Sequence, residues 1–421
     1  MFIFYRILIF LFFPFILLLM VFRNFTGKEN FKSLKQKIFF TSKNTSINNV
    51  IWFHGASLGE INSIVKLIEF YRNKNPKLII LITSNTLSSG KMVRERFYND
   101  KYIFHNYLPI DVNFLVKRFL DVWKPKRVFF IDSEIWPNFI DEIKKRKKTL
   151  LLLNARITKK TYKRWKFVSS FAKKNFSSFD LSIASSIESL NNLKKLGSNQ
   201  IKYYGNLKFI SKIDTTNHLS SNAVNFLNDY KVWCAASTHK GEDLFCINVH
   251  KKLKKHYDNI LTIIIPRHID RVKDIYSQCL AHNLKTQVIN KNDQINSNVE
   301  VIIINSYGVL PKYYNYCQSI FMGKSLMRKF ISVGGQNPIE AAKSGCNIYH
   351  GPYVYNFNEV YDFLEKSGIA KKINNSQELV DNLVKDLKNP KKLNNENLTK
   401  LNTFGENIFG NTIKELDKYI L

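Results

Sequence analysis

The chain has 421 residues, 45% of them hydrophobic and 23% charged, with 64 Lys+Arg against 33 Asp+Glu and a net charge of +31. That length predicts two or three domains, and the balance excludes a disordered chain, a collagen-like fibre and a disulfide mini-protein. The excess of base favours polyanionic partners such as nucleic acid, anionic lipid or phosphorylated substrates, although a general enrichment in Ile, Asn, Lys and Phe dilutes that signal. The five cysteines, Cys234, Cys246, Cys279, Cys317 and Cys346, form no C-x-x-C pair, so neither a zinc site nor a disulfide framework is expected and a reducing compartment fits.

Residues 1–22 are almost wholly apolar, with Arg6 as the single charge. They are just long enough for a spanning helix, which needs about 20 residues, and no small-residue cleavage site follows. A retained membrane anchor over residues 1–24 is expected. Arg23, Lys28, Lys32, Lys35 and Lys37 follow it, so the positive-inside rule places the rest of the chain in the cytoplasm, against anionic phospholipid.

From residue 49, short apolar runs alternate with amphipathic stretches. Strands are predicted at 50–54, 77–83, 101–107, 127–132, 149–153 and 180–184, with helices between them such as 59–73 and 159–176. The series restarts at 231–236 and continues through 260–265, 300–304, 318–322 and 346–350, and helices fill 376–421. This is the signature of two α/β domains with parallel, doubly wound sheets. The boundaries expected are 25–210 for the first domain, 211–230 for a linker and 231–421 for the second. Ligands of such sheets bind beyond the carboxyl ends of the strands, so an interdomain cleft is the expected site.

Five constellations sit at predicted strand ends. In His54-Gly55-Ala56-Ser57-Leu58-Gly59-Glu60, Ser57 fits a helix N-cap, and Glu60 is either a capping partner or an ionised base for a substrate hydroxyl. In Asp132-Ser133-Glu134, the carboxylates either work in the site or cap the next helix. Lys208, after Gly205-Asn206, can neutralise a phosphate leaving group, as can Arg267 after Pro266. In Gly334-Gly335-Gln336-Asn337-Pro338-Ile339-Glu340, the glycines let backbone approach a ligand, with Asn337 as N-cap and Pro338 at N1. A helix N-terminus there is an anion site, with Glu340 either a capping partner or an acceptor from ribose hydroxyls.

The order of these segments resembles the Kdo (3-deoxy-D-manno-octulosonic acid) transferases. The matching stretches are WFHGASLGE (52–60), HNYLPID (105–111), DSEIWPN (132–138), LNARIT (152–157), GNLKF (205–209), AASTHKGE (235–242), PRH (266–268), GGQNPIE (334–340) and GPYVYNFNEV (351–360). The resemblance implies a GT-B fold of two Rossmann-like domains facing across a cleft. It implies a membrane-anchored glycosyltransferase of lipopolysaccharide core assembly, with CMP-Kdo as donor and a lipid A precursor as acceptor. Inversion, no metal and no cofactor are implied too.

On the same resemblance Glu60 is the catalytic base, and Glu134 and Lys208 stabilise the transition state. Pro266, Arg267, Tyr307, Gly308, Val309, Gly334, Gly335, Asn337, Pro338, Ile339 and Glu340 take the CMP. Four positions depart from the family pattern: Gln336 for His, Lys324 for the Gly after Gly323, Tyr353 for the His after Gly-Pro, and Val309 for an acidic residue. Two other readings stay open. One is a GT-B transferase using another nucleotide sugar with a lipid acceptor. The other is a non-enzymatic, membrane-tethered basic scaffold, which explains +31 but not carboxylates placed at strand ends.

Overall fold

The computed structural model describes residues 1–39, 49–211, 219–290, 294–296, 298–389 and 395–420. The chain divides into two compact units, Met1–Lys212 with Gly405–Leu421, and Ile213–Phe404. Each holds one parallel sheet of seven strands.

The first sheet comprises β1 (Val50–His54), β2 (Ile80–Ser84), β3 (Ile103–Tyr107), β4 (Pro125–Ile131), β5 (Thr149–Ala155), β6 (Leu181–Ala184) and β7 (Ile201–Tyr203). Their order is β3-β2-β1-β4-β5-β6-β7. The chain thus winds outward one way from β1, returns, and winds outward the other way from β4. The central strands are continuous apolar runs, as expected where helices cover both faces. Val50–His54 is buried at every position. Trp52 packs against Phe119, Phe130 and Phe139 with ring centroids 4.9–5.5 Å apart, and these rings centre the first core.

The second sheet comprises β8 (Lys231–Thr238), β9 (Ile260–Pro266), β10 (Thr286–Ile289), β11 (Val301–Ile304), β12 (Ser319–Met322), β13 (Asn347–His350) and β14 (Ala370–Lys372). The order is β10-β11-β9-β8-β12-β13-β14, again reversing direction, here between β8 and β12. Trp233, Phe321 and Leu379 lie in its separate core. All five cysteines are buried and unbridged.

Three expectations on the elements are corrected. The predicted helix 159–176 is two helices, Lys159–Lys166 and Ser169–Phe176, separated at Phe167 and Val168. Strands β10 and β14 were not anticipated. The final helix, Asn395–Ile420, does not stay with the second domain: from Gly405 it belongs to the first unit. There Tyr71 donates to Asp417 (3.0 Å), Tyr204 donates to Glu415 (3.1 Å) and Phe409 meets Phe70 edge-on. The expected linker 211–230 contains the helix Ser221–Asn228, while residues 212–218 of it lie outside the described residues.

The N-terminal helix Phe2–Phe25 is long and apolar enough to cross a membrane. Glu29 follows it and pairs with Lys37 at 2.6 Å, on the helix Phe31–Phe39.

Candidate active site

In the first unit the site residues gather at the carboxyl ends of β1, β4 and β5, where the winding direction reverses. Open α/β sheets bind ligands at this switch point. His54 ends β1, opposite Phe130 of β4. Its Nδ1 lies 2.9 Å from Thr83 Oγ1 and its Nε2 3.0 Å from a Glu134 oxygen. The Trp136 indole donates to the same Glu134 oxygen at 2.8 Å. Glu134 is therefore gripped by a fully buried imidazole and an indole, and its carboxylate is fixed in place.

Of the two roles left open by sequence, the structure shows the capping one for Glu60. It forms a capping box with Ser57 on the helix Leu58–Lys74. Its Oε2 accepts from the Ala56 N–H at 2.6 Å and its Oε1 from the Ser57 hydroxyl at 3.0 Å. Burial, then the charges of Asp132 and Glu134, nevertheless push its pKa up to about 7, against those stabilising bonds. A carboxyl titrating there is matched to proton abstraction at neutral pH.

Asp132 is buried in a left-handed conformation, φ 56°. It accepts from the Asn154 amide at 2.5 Å and pairs with Lys208 at 3.3 Å. Asn154 in turn accepts from the Leu207 N–H at 2.9 Å. Three segments far apart in sequence are thereby tied into one cluster of Glu60, Asp132, Glu134 and Lys208. Neither Asp132 nor Ser133 caps the next helix. That role falls to Asp111, whose carboxylate accepts from the N–H groups of Asn138 and Phe139 at 3.1 Å each. Sequence reasoning left His54, Asp111 and Asn154 without a role, although each lies inside a quoted segment. A polar residue closing an apolar strand was the signal available for His54 and Asn154.

In the second unit the residues expected to bind the nucleotide also lie at strand ends. Pro266 closes β9, and the exposed Arg267 donates its N–H to the Thr238 carbonyl at 3.1 Å. Tyr307 is exposed, Gly308 has φ 76°, and Val309 is buried just before the helix Leu310–Tyr314. The helix after the glycine pair is only five residues, Ile339–Lys343, and Pro338 rather than Asn337 sits at its N-cap. The Asn337 side-chain Oδ1 still accepts from the Ile339 N–H at 3.2 Å, so it caps from one residue further back. Glu340 lies in the first turn.

The glycines serve the protein's own backbone. A Cβ on Gly334 would fall 2.0 Å from the Tyr353 carbonyl oxygen, and Gly335 has φ 88°. The loop Lys324–Leu326, after β12, is held by the fully buried Glu242. Its carboxylate accepts from the N–H groups of His239, Lys324, Ser325 and Leu326 at 2.6–3.0 Å. Burial raises the Glu242 pKa against those four bonds. Beside it, burial lowers His239 to about 4, so this imidazole is neutral at pH 7.

Residues 32–211 match the family model of the 3-deoxy-D-manno-octulosonic-acid transferases (kdotransferases). The 3-deoxy-D-manno-octulosonic acid transferase of Rickettsia prowazekii (strain Madrid E) is 30% identical over 378 residues, covering 89% of this chain and 79% of that protein. The enzyme of the same name from Rickettsia bellii (strain RML369-C) is 29% identical over 380 residues, covering 90% and 89%. Among solved structures, Anabaena HepE in complex with UDP is similar over 88% of this chain and 100% of that one, with a TM-score of 0.57 at 12% identity, a likeness of fold alone. Two doubly wound units of GT-B type, and identity that runs through both of them, establish that the chain belongs to the Kdo transferases, the glycosyltransferases of lipopolysaccharide core assembly.

Proposed function

We propose that the protein transfers Kdo from CMP-Kdo to a lipid A precursor (lipid IVA), with inversion and without a metal ion or other cofactor, on the cytoplasmic face of the inner membrane. The observation that carries this reading is Glu60: a carboxyl at the switch point of the first sheet whose pKa stands at about 7. In the proposed step the acceptor hydroxyl gives its proton to Glu60. Its oxygen attacks the anomeric carbon of Kdo from the face opposite CMP. The bond from that carbon to the phosphate oxygen breaks, and its electron pair leaves with CMP.

The sugar passes through an oxocarbenium-like state, and the fixed Glu134 carboxylate favours the positive charge that develops there. Lys208 supplies positive charge for the leaving phosphate, held in position by Asp132. The CMP site is assigned to the second unit: Pro266, Arg267, Tyr307, Gly308, Val309, Gly334, Gly335, Asn337, Pro338, Ile339 and Glu340. Arg267, a fork of donors left exposed, suits the phosphate. Anionic phospholipid is the expected neighbour of the N-terminal helix, and the basic residues after it suit its headgroups.

The test is a transfer assay on detergent-solubilised protein with tetra-acylated lipid A precursor, CMP-Kdo and EDTA, read by mass spectrometry. A mass gain of one or more Kdo units, lost in Glu60→Ala, is expected. CMP binding with no transfer would overturn the assigned donor or acceptor. A gain that vanishes in EDTA and returns with a divalent ion would overturn metal independence.

A further inference from the structure

The N-terminal helix is seated on the first unit along its whole length. Phe2, Tyr5, Ile9, Phe13, Ile16 and Met20 are partly or fully covered, as are Arg6, Leu17 and Arg23 beside them, and the 3–4 residue spacing draws one helical stripe. At the start of the helix, Tyr5 donates to Asp111 at 2.8 Å. Arg6 donates to Asn138 (3.1 Å), Asp141 (2.8 Å) and Glu142 (3.1 Å). Phe2 meets Phe171 edge-on at 4.9 Å, and midway Phe13 meets Phe114 at 5.8 Å. At the far end Arg23 lies 3.6 Å from Glu29, which pairs with Lys37, and the Lys37 carbonyl accepts from the Ile110 N–H at 3.1 Å.

Both ends of the helix are thus fastened to the first unit. Arg6 and Arg23 are 17 residues apart, about 26 Å along a helix. A spanning pose would need the first-turn contacts broken, or Asp111, Asp141 and Glu142 carried into hydrocarbon, where charge is heavily penalised. The opposite face is bare and apolar: Phe4, Leu11, Phe15, Leu18 and Phe22 are each 64–67% exposed.

We propose that Phe2–Phe25 lies in the plane of one leaflet as a membrane seat, its outer face sunk among acyl chains and its inner face bonded to the first unit. The occupant to which this surface commits is a phospholipid leaflet with anionic headgroups. The flanks support that choice. Lys174 stands over the Phe2 ring, and Trp165 stacks on Phe171 in the same seat. Lys163, Arg164 and Lys166 are exposed beside Trp165, and Phe167 next to them is 89% exposed. Aromatic and basic residues at the rim of an apolar face are the composition of an interfacial helix. The seat is also tied to the chemistry, because Asn138, which receives Arg6, lies four residues after Glu134.

The test uses the full chain in vesicles of phosphatidylethanolamine and phosphatidylglycerol. Single variants Phe4→Cys, Leu11→Cys and Leu18→Cys carry a nitroxide on the outer face, spaced by seven residues. The native cysteines are buried. Immersion depth is read from the relative accessibility of each label to oxygen and to a water-soluble nickel chelate. Equal, shallow depth at the three sites is expected. A profile deepest at Leu11, with Phe4 at the opposite headgroups, would overturn the proposal in favour of a spanning helix. Three water-exposed labels would overturn it in favour of a second copy of the chain or another protein as the covering surface. Adding Arg6→Glu is expected to free the first turn, so that the Phe4 label alone becomes more mobile; no change there would reject the Arg6 clamp. None of these readouts uses donor or acceptor, so the result stands apart from the transfer assay.

Discussion

The Glu60 carboxylate caps a helix and, in the proposed reaction, takes the acceptor's proton. Its pKa of about 7 opposes ionisation across the range from 4.5 upward. As a base it acts only when ionised, so kcat/KM is expected to rise with pH along an acid limb centred near 7. Glu134→Gln removes one of the charges that hold Glu60 up and is expected to move that limb to lower pH in the residual activity. An unmoved limb would assign it to another group. The stability sign is opposite. Between about 4.5 and 7 the folded protein holds a proton that the unfolded chain has released, so stability falls as pH rises through this window. Glu60→Gln keeps the capping geometry without the charge. It is expected to stabilise the fold by about 2–3 kcal/mol at pH 8 and scarcely at pH 4, as read from denaturant melts. Lys324 offers a second test. It sits at φ 58°, pinned there because its N–H donates to Glu242 and its carbonyl accepts from Gly335. Lys324→Gly relieves that strain, with a gain of roughly 0.5–1 kcal/mol after the extra unfolded-state freedom of glycine is subtracted.

The central strands were legible, and the two strands that were not lie at sheet edges. The central strands β1, β4, β5, β8 and β9 are unbroken apolar runs, so sequence placed them within a few residues. Strand β10 (TQVI) and strand β14 (AKK) lie at sheet edges, where one side needs no cover, and they show no such run. The candidate site was legible in Glu60, Glu134 and Lys208 because strand ends carry the polar residues of doubly wound sheets. Its supports were not, because pairings such as Asp132 with Lys208 span 76 residues and leave no local pattern. Glu242 is the clearest instance: a first-turn carboxylate in sequence, it proves to be the clamp for a loop 82 residues away. Glu242→Ala orphans four backbone donors and is expected to destabilise the second unit by about 2–4 kcal/mol. CMP affinity, measured calorimetrically, is expected to fall with it, since the loop leads into Gly334 and Gly335. Glu242→Gln retains an acceptor and is expected to lose less of both. An alanine variant that melts like the parent would show that water replaces the clamp at no cost.

At the scale of the molecule, each unit has its own sheet and core, and the chain passes from the first to the second and back. The return was invisible in the sequence. Helix Asn395–Ile420 is amphipathic, but an apolar stripe does not say which core receives it. The contacts decide: Leu416 is fully buried, while Asp417 and Glu415 take hydroxyl donors from Tyr71 and Tyr204. The C-terminal turns therefore brace the helix Leu58–Lys74, whose N-terminus carries Glu60, although they are about 350 residues away in the chain. Leu416→Ala separates the two units experimentally. The buried leucine belongs to the first unit, so its loss is expected to cost about 2–5 kcal/mol there and to lower transfer at elevated temperature. CMP binding, assigned to the second unit, is expected to keep its affinity. A variant with weakened CMP binding and an unchanged first-unit melt would place the last turns energetically with the second unit and reverse this assignment.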